Sequence, residues 1–139
     1  MRCAIVSSDV SYLTERIGDG GIIIGRRTYD IMKKSRAEIF VECQKYVITN
    51  ELLEKAANTS AIFITDAAKF IRLVEMRHEN IFVIGGTKIY NLFTGMYDVI
   101  YRESTIKLVE DLSNFTIVST IVHNNNNIET WIKNGFSSC

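Results

Sequence analysis

The sequence has 139 residues, with 16 basic and 16 acidic side chains and therefore a formal net charge of zero. This length predicts one domain, residues 1–139, with a single hydrophobic core. The balanced charge excludes a broad basic field that would attract nucleic acid or a membrane surface.

The start of the chain lacks the apolar core of a signal peptide, and no apolar run could span a bilayer. Cys3, Cys43 and Cys139 include no CxxC pair, so we interpret them as reduced thiols. Together these features predict a cytoplasmic protein. His78 and His123 lie far apart without a cysteine or carboxylate cluster, so we expect no metal site.

Apolar strand-like runs alternate with helix-like segments along most of the chain. The predicted strands of this part are 2–7, 21–25, 45–50, 62–65 and 80–86. The predicted helices are 9–18, 27–34, 66–79 and 87–93. Strands that alternate with helices favour parallel pairing, with helices on both faces of the sheet.

Three further β-rich stretches, 98–106, 114–122 and 128–134, follow without a helix between the last two. The asparagine run at 123–127 predicts a wide turn, because asparagine tolerates a positive φ. We therefore expect an antiparallel hairpin at one edge. The predicted fold class is α/β, with a mixed, mainly parallel sheet of about eight strands.

Two predicted strand-to-helix junctions are rich in glycine: "IIIGRRTYD" (22–30) and "FVIGGTKIY" (82–90). A helix start presents unpaired N–H groups, and glycine lets a phosphate approach the backbone closely. Either junction alone can be a simple turn. Arg26 and Arg27 at the first junction add cations that can bind phosphate, so the pair of junctions favours a ligand with two phosphates.

At these junctions the chain resembles the dihydrofolate reductase family, through "IIIGRRTYDIM" and "IFVIGGTKIY". The segments between and after them, "KYVITN", the 66–79 helix and "YDVIYRESTI", follow in the family's order. The resemblance covers residues 21–111 well and the predicted hairpin loosely. It implies a dihydrofolate-reductase-like fold and NADPH as cofactor.

The resemblance implies cofactor contacts from Gly25, Arg26, Arg27, Thr28, Thr49, Asn50, Ile84, Gly85, Gly86, Thr87, Lys88 and Tyr90. In this assignment Arg26 faces the adenosine 2′-phosphate, with Thr49 and Asn50 nearby. Residues 85–88 hold the pyrophosphate, and Ile84 and Tyr90 flank the nicotinamide. The family's paired glycines form a cis peptide, so we expect one at Gly85–Gly86.

Counting back from Gly25 without gaps places Asp9 at the position of the family's substrate-binding acid. The same residue can instead be only a helix cap, as Ser8 can. The resemblance also implies substrate contacts from Val6, Leu13 and Ile17. The family's threonine after its long strand has three possible counterparts, Glu103, Ser104 and Thr105.

The sequence departs from the family in its first loop, because only residues 8–20 separate the first strand from "GIIIG". The family's lid over the nicotinamide is therefore largely missing. The favoured function is NADPH-dependent reduction of dihydrofolate or a related pterin to its tetrahydro form, as in one-carbon metabolism. The alternatives are an inactive reductase-fold protein with a structural or interaction role, and a pyrimidine reductase of the riboflavin-pathway type. The sequence leaves the oligomeric state open.

Overall fold

The computed structural model describes residues 1–18, 20–35, 43–50, 61–76, 80–108 and 110–136. In chain order, its strands are β1 (Arg2–Val6), β2 (Gly21–Gly25), β3 (Lys45–Ile48), β4 (Ala61–Ile64), β5 (Ile81–Gly85), β6 (Val99–Glu103), β7 (Phe115–His123) and β8 (Asn126–Lys133). Its helices are α1 (Val10–Ile17), α2 (Arg26–Ser35), α3 (Ala67–Glu75) and α4 (Thr87–Leu92), and a short 3₁₀ helix spans Leu112–Asn114.

All eight strands form one sheet in the order β4–β3–β2–β5–β1–β6–β8–β7. The first six strands of this order pair in parallel. Strand β8 is antiparallel to both of its neighbours, β6 and β7. The predicted mixed, mainly parallel sheet with an antiparallel hairpin at one edge is therefore confirmed.

The central strands are buried on both faces, which explains their continuous apolar runs. On one face, Cys3 and Ile5 of β1 pack in a cluster that includes side chains of α1 and α2. On the other face, Ala4 and Val6 pack in a cluster with side chains of α3 and α4. Side chains of successive strand residues point to opposite faces, so each central strand contributes to both halves of the core.

Two predicted boundaries in the last part of the chain are wrong. Strand β6 ends at Glu103, and a turn occupies positions predicted as strand up to 106. The loop between β7 and β8 is not wide but consists of Asn124 and Asn125, because His123 pairs directly with Asn126. Both turn residues have positive φ, 48° and 67°, as the tightest hairpin loops require.

Other expectations concern residues that the structure does not describe. The predicted 66–79 helix ends earlier, at Glu75, with Met76 as its C-cap. Residues 77–79, which include His78, and Cys139 lie outside the described part. Within the described ranges, no helix is both long and apolar enough to cross a bilayer.

Candidate active site

A cleft of about 930 Å³ opens where β2 and β5 each lead into a helix. Both strands end at this edge of the parallel sheet, where ligands of open α/β folds bind. The end of β3 adds Ile48, Thr49 and Asn50 to the wall. The full lining is Gly25, Arg26, Arg27, Thr28, Ile48, Thr49, Asn50, Gly86, Thr87, Lys88, Ile89, Asn91 and Leu92.

The glycines at the two junctions solve different steric problems. A Cβ on Gly25 would lie 3.1 Å from Cγ1 of Ile89, so this glycine lets α4 pack closely against the end of β2. Gly85 has a φ of 139°, a conformation that side-chain-bearing residues rarely adopt. A Cβ on Gly86 would meet no described atom within 4 Å, so that position leaves the cleft floor open. The Gly85–Gly86 peptide is cis, as predicted.

Arg26 supplies an incompletely paired cation at the cleft. Its Nε donates a hydrogen bond of 2.9 Å to Oδ1 of Asp30, and its guanidinium carbon lies 5.9 Å from the ring centre of Phe63. Its Nη1 is buried without a hydrogen-bond partner among the described residues. A buried N–H group normally has a partner, so the orphaned Nη1 and the open surface at Gly86 fit an anionic ligand.

Asp9 lies beyond the carboxyl end of β1, at the same edge of the sheet. It is the N-cap of α1, and its Oδ1 accepts hydrogen bonds from the Tyr12 backbone N–H at 3.2 Å and the Ser11 hydroxyl at 3.0 Å. Asp9 is 9% exposed. The capping role that the sequence left open is therefore present, and a cap does not exclude a second role.

His123 and Asn124, at the tip of the β7–β8 hairpin, also contact Asp9. Nδ1 of His123 lies 2.7 Å from Oδ2 of Asp9. The Asn124 amide donates longer hydrogen bonds of 3.3 and 3.4 Å to the two carboxylate oxygens. The His123 hydrogen bond is the main cause that lowers the pKa of Asp9 to about 2, so the carboxylate is ionised at neutral pH.

A family model for dihydrofolate reductase matches residues 3–128. The chain belongs to the dihydrofolate reductase family. Among solved structures, the dihydrofolate reductase from Enterococcus faecalis, in complex with NADP(H) and RAB-propyl, superposes with a TM-score of 0.67. That likeness covers 96% of each chain at 17% sequence identity, so it concerns the fold. No curated protein sequence matches this chain significantly.

The structure brings most of the cofactor residues suggested by the family resemblance into one cleft. Ile84, Gly85 and Tyr90 are the exceptions, since they are absent from the lining. The hydroxyl of Tyr90 points to the protein core and donates to the Ile5 carbonyl at 2.7 Å. Sequence reasoning missed four lining residues: Ile48, Ile89, Asn91 and Leu92. Three of them lie on α4 near residues already assigned, so its helical period could have found them.

The three suggested substrate residues do not converge. Leu13 and Ile17 of α1 are buried in the cluster on one face of the sheet. Val6 is buried in the cluster on the opposite face. Alternation along β1 causes this separation, because Ile5 and not Val6 shares the face of α1.

Glu103 organises the segment between β1 and α1. Its Oε1 accepts hydrogen bonds from the Ser7 hydroxyl at 3.1 Å and the Ser8 hydroxyl at 3.3 Å, and its Oε2 accepts one from Thr105 at 3.3 Å. The Ser7 hydroxyl in turn accepts the Asp9 backbone N–H at 3.0 Å. The sequence left open whether Glu103, Ser104 or Thr105 corresponds to the family's threonine. Of these three, the buried Glu103 is the one whose side chain binds the segment between β1 and α1. Within the described residues, no group of three metal-binding side chains occurs.

Proposed function

We propose that this protein is an NADPH-dependent reductase of dihydrofolate or a related pterin. One observation carries the proposal: the cleft with the orphaned Arg26 Nη1 and the buried, ionised Asp9 lie at the same edge of one sheet. The first feature suits an anionic cofactor, and the second suits a substrate with N–H donors. Membership of the dihydrofolate reductase family supports this pairing.

The residues of the cleft fit NADPH as the cofactor. Arg26 offers its unpaired Nη1 to the 2′-phosphate, with Thr49 and Asn50 on the same wall. The open surface at Gly86, followed by Thr87 and Lys88, receives the pyrophosphate. The related Enterococcus faecalis enzyme was solved with NADP(H). When bound, NADPH supplies the hydride for the reduction.

Asp9 is the residue that we assign to the substrate. A pterin ring carries an amino group and a ring N–H side by side, and an ionised carboxylate accepts both hydrogen bonds. The backbone of α1 fixes Oδ1, and burial strengthens any charged hydrogen bond formed there. Asp9 thus orients the ring, and its charge favours protonation of the ring during reduction.

The direct test is to follow NADPH oxidation by absorbance with and without dihydrofolate. The proposal expects oxidation that depends on dihydrofolate and is slower with NADH at the same concentration. Protein that binds NADPH but turns over neither dihydrofolate nor a related pterin would contradict it. A pyrimidine substrate of the riboflavin-pathway type belongs in the same assay. Turnover of that substrate alone would show that the protein is a pyrimidine reductase and not a pterin reductase.

A non-enzymatic role is the second candidate, and the short connection between β1 and α1 favours it. Strand β1 ends at Val6 and α1 begins at Val10, so this connection has no room for a lid. Lids exclude water and complete many active sites. A reductase fold without one can hold a nucleotide and act as an interaction subunit. Binding of NADPH without turnover would support this candidate.

The proposal also includes a cytoplasmic location and a place in one-carbon metabolism. Burial raises the pKa of the Cys3 thiol to about 12, and it raises that of Cys43 as well. Thiols with raised pKa values react slowly with oxidants. These cysteines therefore have the character of core residues and not of redox sensors.

A further inference from the structure

The tip of the β7–β8 hairpin reaches across the sheet edge to the N-cap of α1. His123 and Asp9 are 114 positions apart in the chain, and their 2.7 Å contact joins β7 to α1. Asn124 adds a hydrogen bond of 3.1 Å from its amide to the Ser11 hydroxyl. The hairpin therefore occupies space beside the Asp9 carboxylate. The connection between β1 and α1 is too short to fill that space.

The two oxygens of Asp9 are held by different parts of the protein. Oδ1 receives the Tyr12 backbone N–H and the Ser11 hydroxyl, both from α1. Oδ2 is contacted from the hairpin, by His123 at 2.7 Å and by the Asn124 amide at 3.3 Å. The orientation of the carboxylate about its Cβ–Cγ bond thus depends on the hairpin as well as on the helix.

The imidazole of His123 lies between two acidic side chains. Its Nδ1 faces Asp9, and its Nε2 lies 3.6 Å from Oε2 of Glu15. The ring packs edge-on against Tyr12, with ring centres 5.6 Å apart. The guanidinium of Arg16 lies over the rings of Tyr12 and Tyr101, 5.4 and 5.1 Å from their centres.

This surrounding favours the protonated imidazole. The hydrogen bond to Asp9 is the largest cause that raises the pKa of His123 above its ordinary value of 6.5, and Glu15 acts in the same direction. Below pH 6.5 an imidazolium therefore faces an ionised carboxylate. Charge-assisted hydrogen bonds of this kind are about twice as strong as neutral ones.

We propose that His123 is a positioning residue. It holds the Asp9 carboxylate in the orientation that a pterin ring requires for binding. This inference rests on the proposed function, because it assumes that Asp9 binds the substrate. The Asn124 contacts are the longest ones to the carboxylate, so they are the ones that a bound ring replaces. His123 then remains in place and holds Oδ2 beside the bound ring.

The test compares His123→Ala with His123→Asn, because an asparagine amide can place an N–H group where Nδ1 lies but cannot titrate. His123→Ala should weaken dihydrofolate binding, measured by calorimetry, about ten-fold or more. It should lower kcat/KM by the same factor and leave the Kd of NADPH unchanged. The affinity of the native protein should fall as pH rises through the raised pKa of His123. His123→Asn should restore most of the affinity but show no such fall. Asn125→Gly, at the other turn position, is the matched control and should change neither quantity.

A second readout does not depend on turnover. The chain has two histidines, so the His123 imidazole can be assigned in NMR spectra by its disappearance in His123→Asn. Its pKa should lie above 6.5 in the native protein and should fall in Asp9→Asn. An ordinary pKa that Asp9→Asn does not move would overturn the inference, as would native affinity for dihydrofolate in His123→Ala.

The two proposals fail in different ways. If the native protein binds dihydrofolate or a related pterin but turns over neither, the enzymatic function is wrong, while weaker binding by His123→Ala still supports the positioning role. If the native protein neither binds nor reduces dihydrofolate or a related pterin, both proposals are wrong, whatever the NMR titration shows.

Discussion

The hydroxyl of Tyr90 donates a 2.7 Å hydrogen bond to the carbonyl oxygen of Ile5, which ties the helix after the glycine pair to the strand that leads to Asp9. Burial raises the pKa of this hydroxyl, so it remains a donor throughout the working pH range. The contact joins the cofactor side of the sheet edge to the substrate side.

Replacing Tyr90 by phenylalanine tests this contact. The change keeps the ring and removes the donor, so Tyr90→Phe should lower the free energy of unfolding by ~1–2 kcal/mol. Urea denaturation measures the effect through the midpoint at constant slope. An unchanged midpoint would show that the hydrogen bond adds nothing to stability.

Replacing Arg26 by alanine tests the cofactor assignment. If its unpaired Nη1 binds a 2′-phosphate, Arg26→Ala should reduce the preference for NADPH over NADH about ten-fold or more, since ~1.4 kcal/mol is a factor of ten. Fluorescence titration with both cofactors gives the ratio. Arg72→Ala, which removes the same charge from the exposed surface of α3, is the control and should leave the ratio unchanged. Equal affinity of the native protein for NADPH and NADH would contradict the assignment of Arg26 to the 2′-phosphate.

Replacing Asp9 by asparagine separates its two roles. Asparagine caps helices about as well as aspartate, so α1 should persist. Acid–base and orienting groups contribute ~10²–10⁴-fold to rate, and Asp9→Asn should lower kcat/KM for dihydrofolate by that order while NADPH affinity stays. Turnover that survives would place the acid elsewhere. Glu103 would then be tested before Glu15, because Glu103 is buried and Glu15 is 66% exposed.

The pairing of Asp9 with His123 predicts a pH window of added stability. The folded pKa of Asp9 is lowered from 3.8 to about 2, so its contribution is present above 3.8 and is lost as pH falls toward 2. The folded pKa of His123 is raised, so its contribution is present below 6.5 and is lost as pH rises through the folded value. The stability difference between native protein and His123→Ala should therefore be largest between pH 3.8 and 6.5. Urea denaturation across this range measures it, and a constant difference would contradict the prediction.

Replacing Asn124 by glycine tests which hairpin contact the substrate displaces. Glycine retains the positive φ of 48° at this turn position and removes the amide that contacts Asp9 and Ser11. If a bound ring replaces those contacts, Asn124→Gly should bind dihydrofolate at least as tightly as the native protein. Calorimetry measures the affinity, and a loss as large as that in His123→Ala would assign the positioning role to the whole turn.

The fold could be predicted because its signals are local. Three consecutive isoleucines between glycines can hardly be anything other than a strand buried on both faces, and β2 is such a strand. Asp9 marks the start of α1 through its side-chain cap, and Gly18 marks the end through its positive φ of 50°. The two glycine junctions then lie side by side because parallel strands end at the same edge of a sheet.

The partner of Asp9 could not be predicted, because nothing local to His123 points to α1. Its position depends on the length of β7 and on the tightness of the turn at Asn124 and Asn125. The sequence indicated a wide loop, in which His123 would have no fixed position. The position of Val6 on the face opposite α1 could not be predicted for a related reason, since the face of the sheet that a strand residue occupies depends on register and not on composition.

The order of strands at the sheet edge has a consequence for folding. Strand β8 follows β7 in the chain but lies between β6 and β7 in the sheet, so β7 is joined to the rest of the sheet only through β8. Contacts between distant parts of a chain form slowly because the loop between them must close first. His123 therefore meets Asp9 in one of the late steps. During refolding, dihydrofolate affinity should return after the parallel strands and the NADPH cleft have already formed.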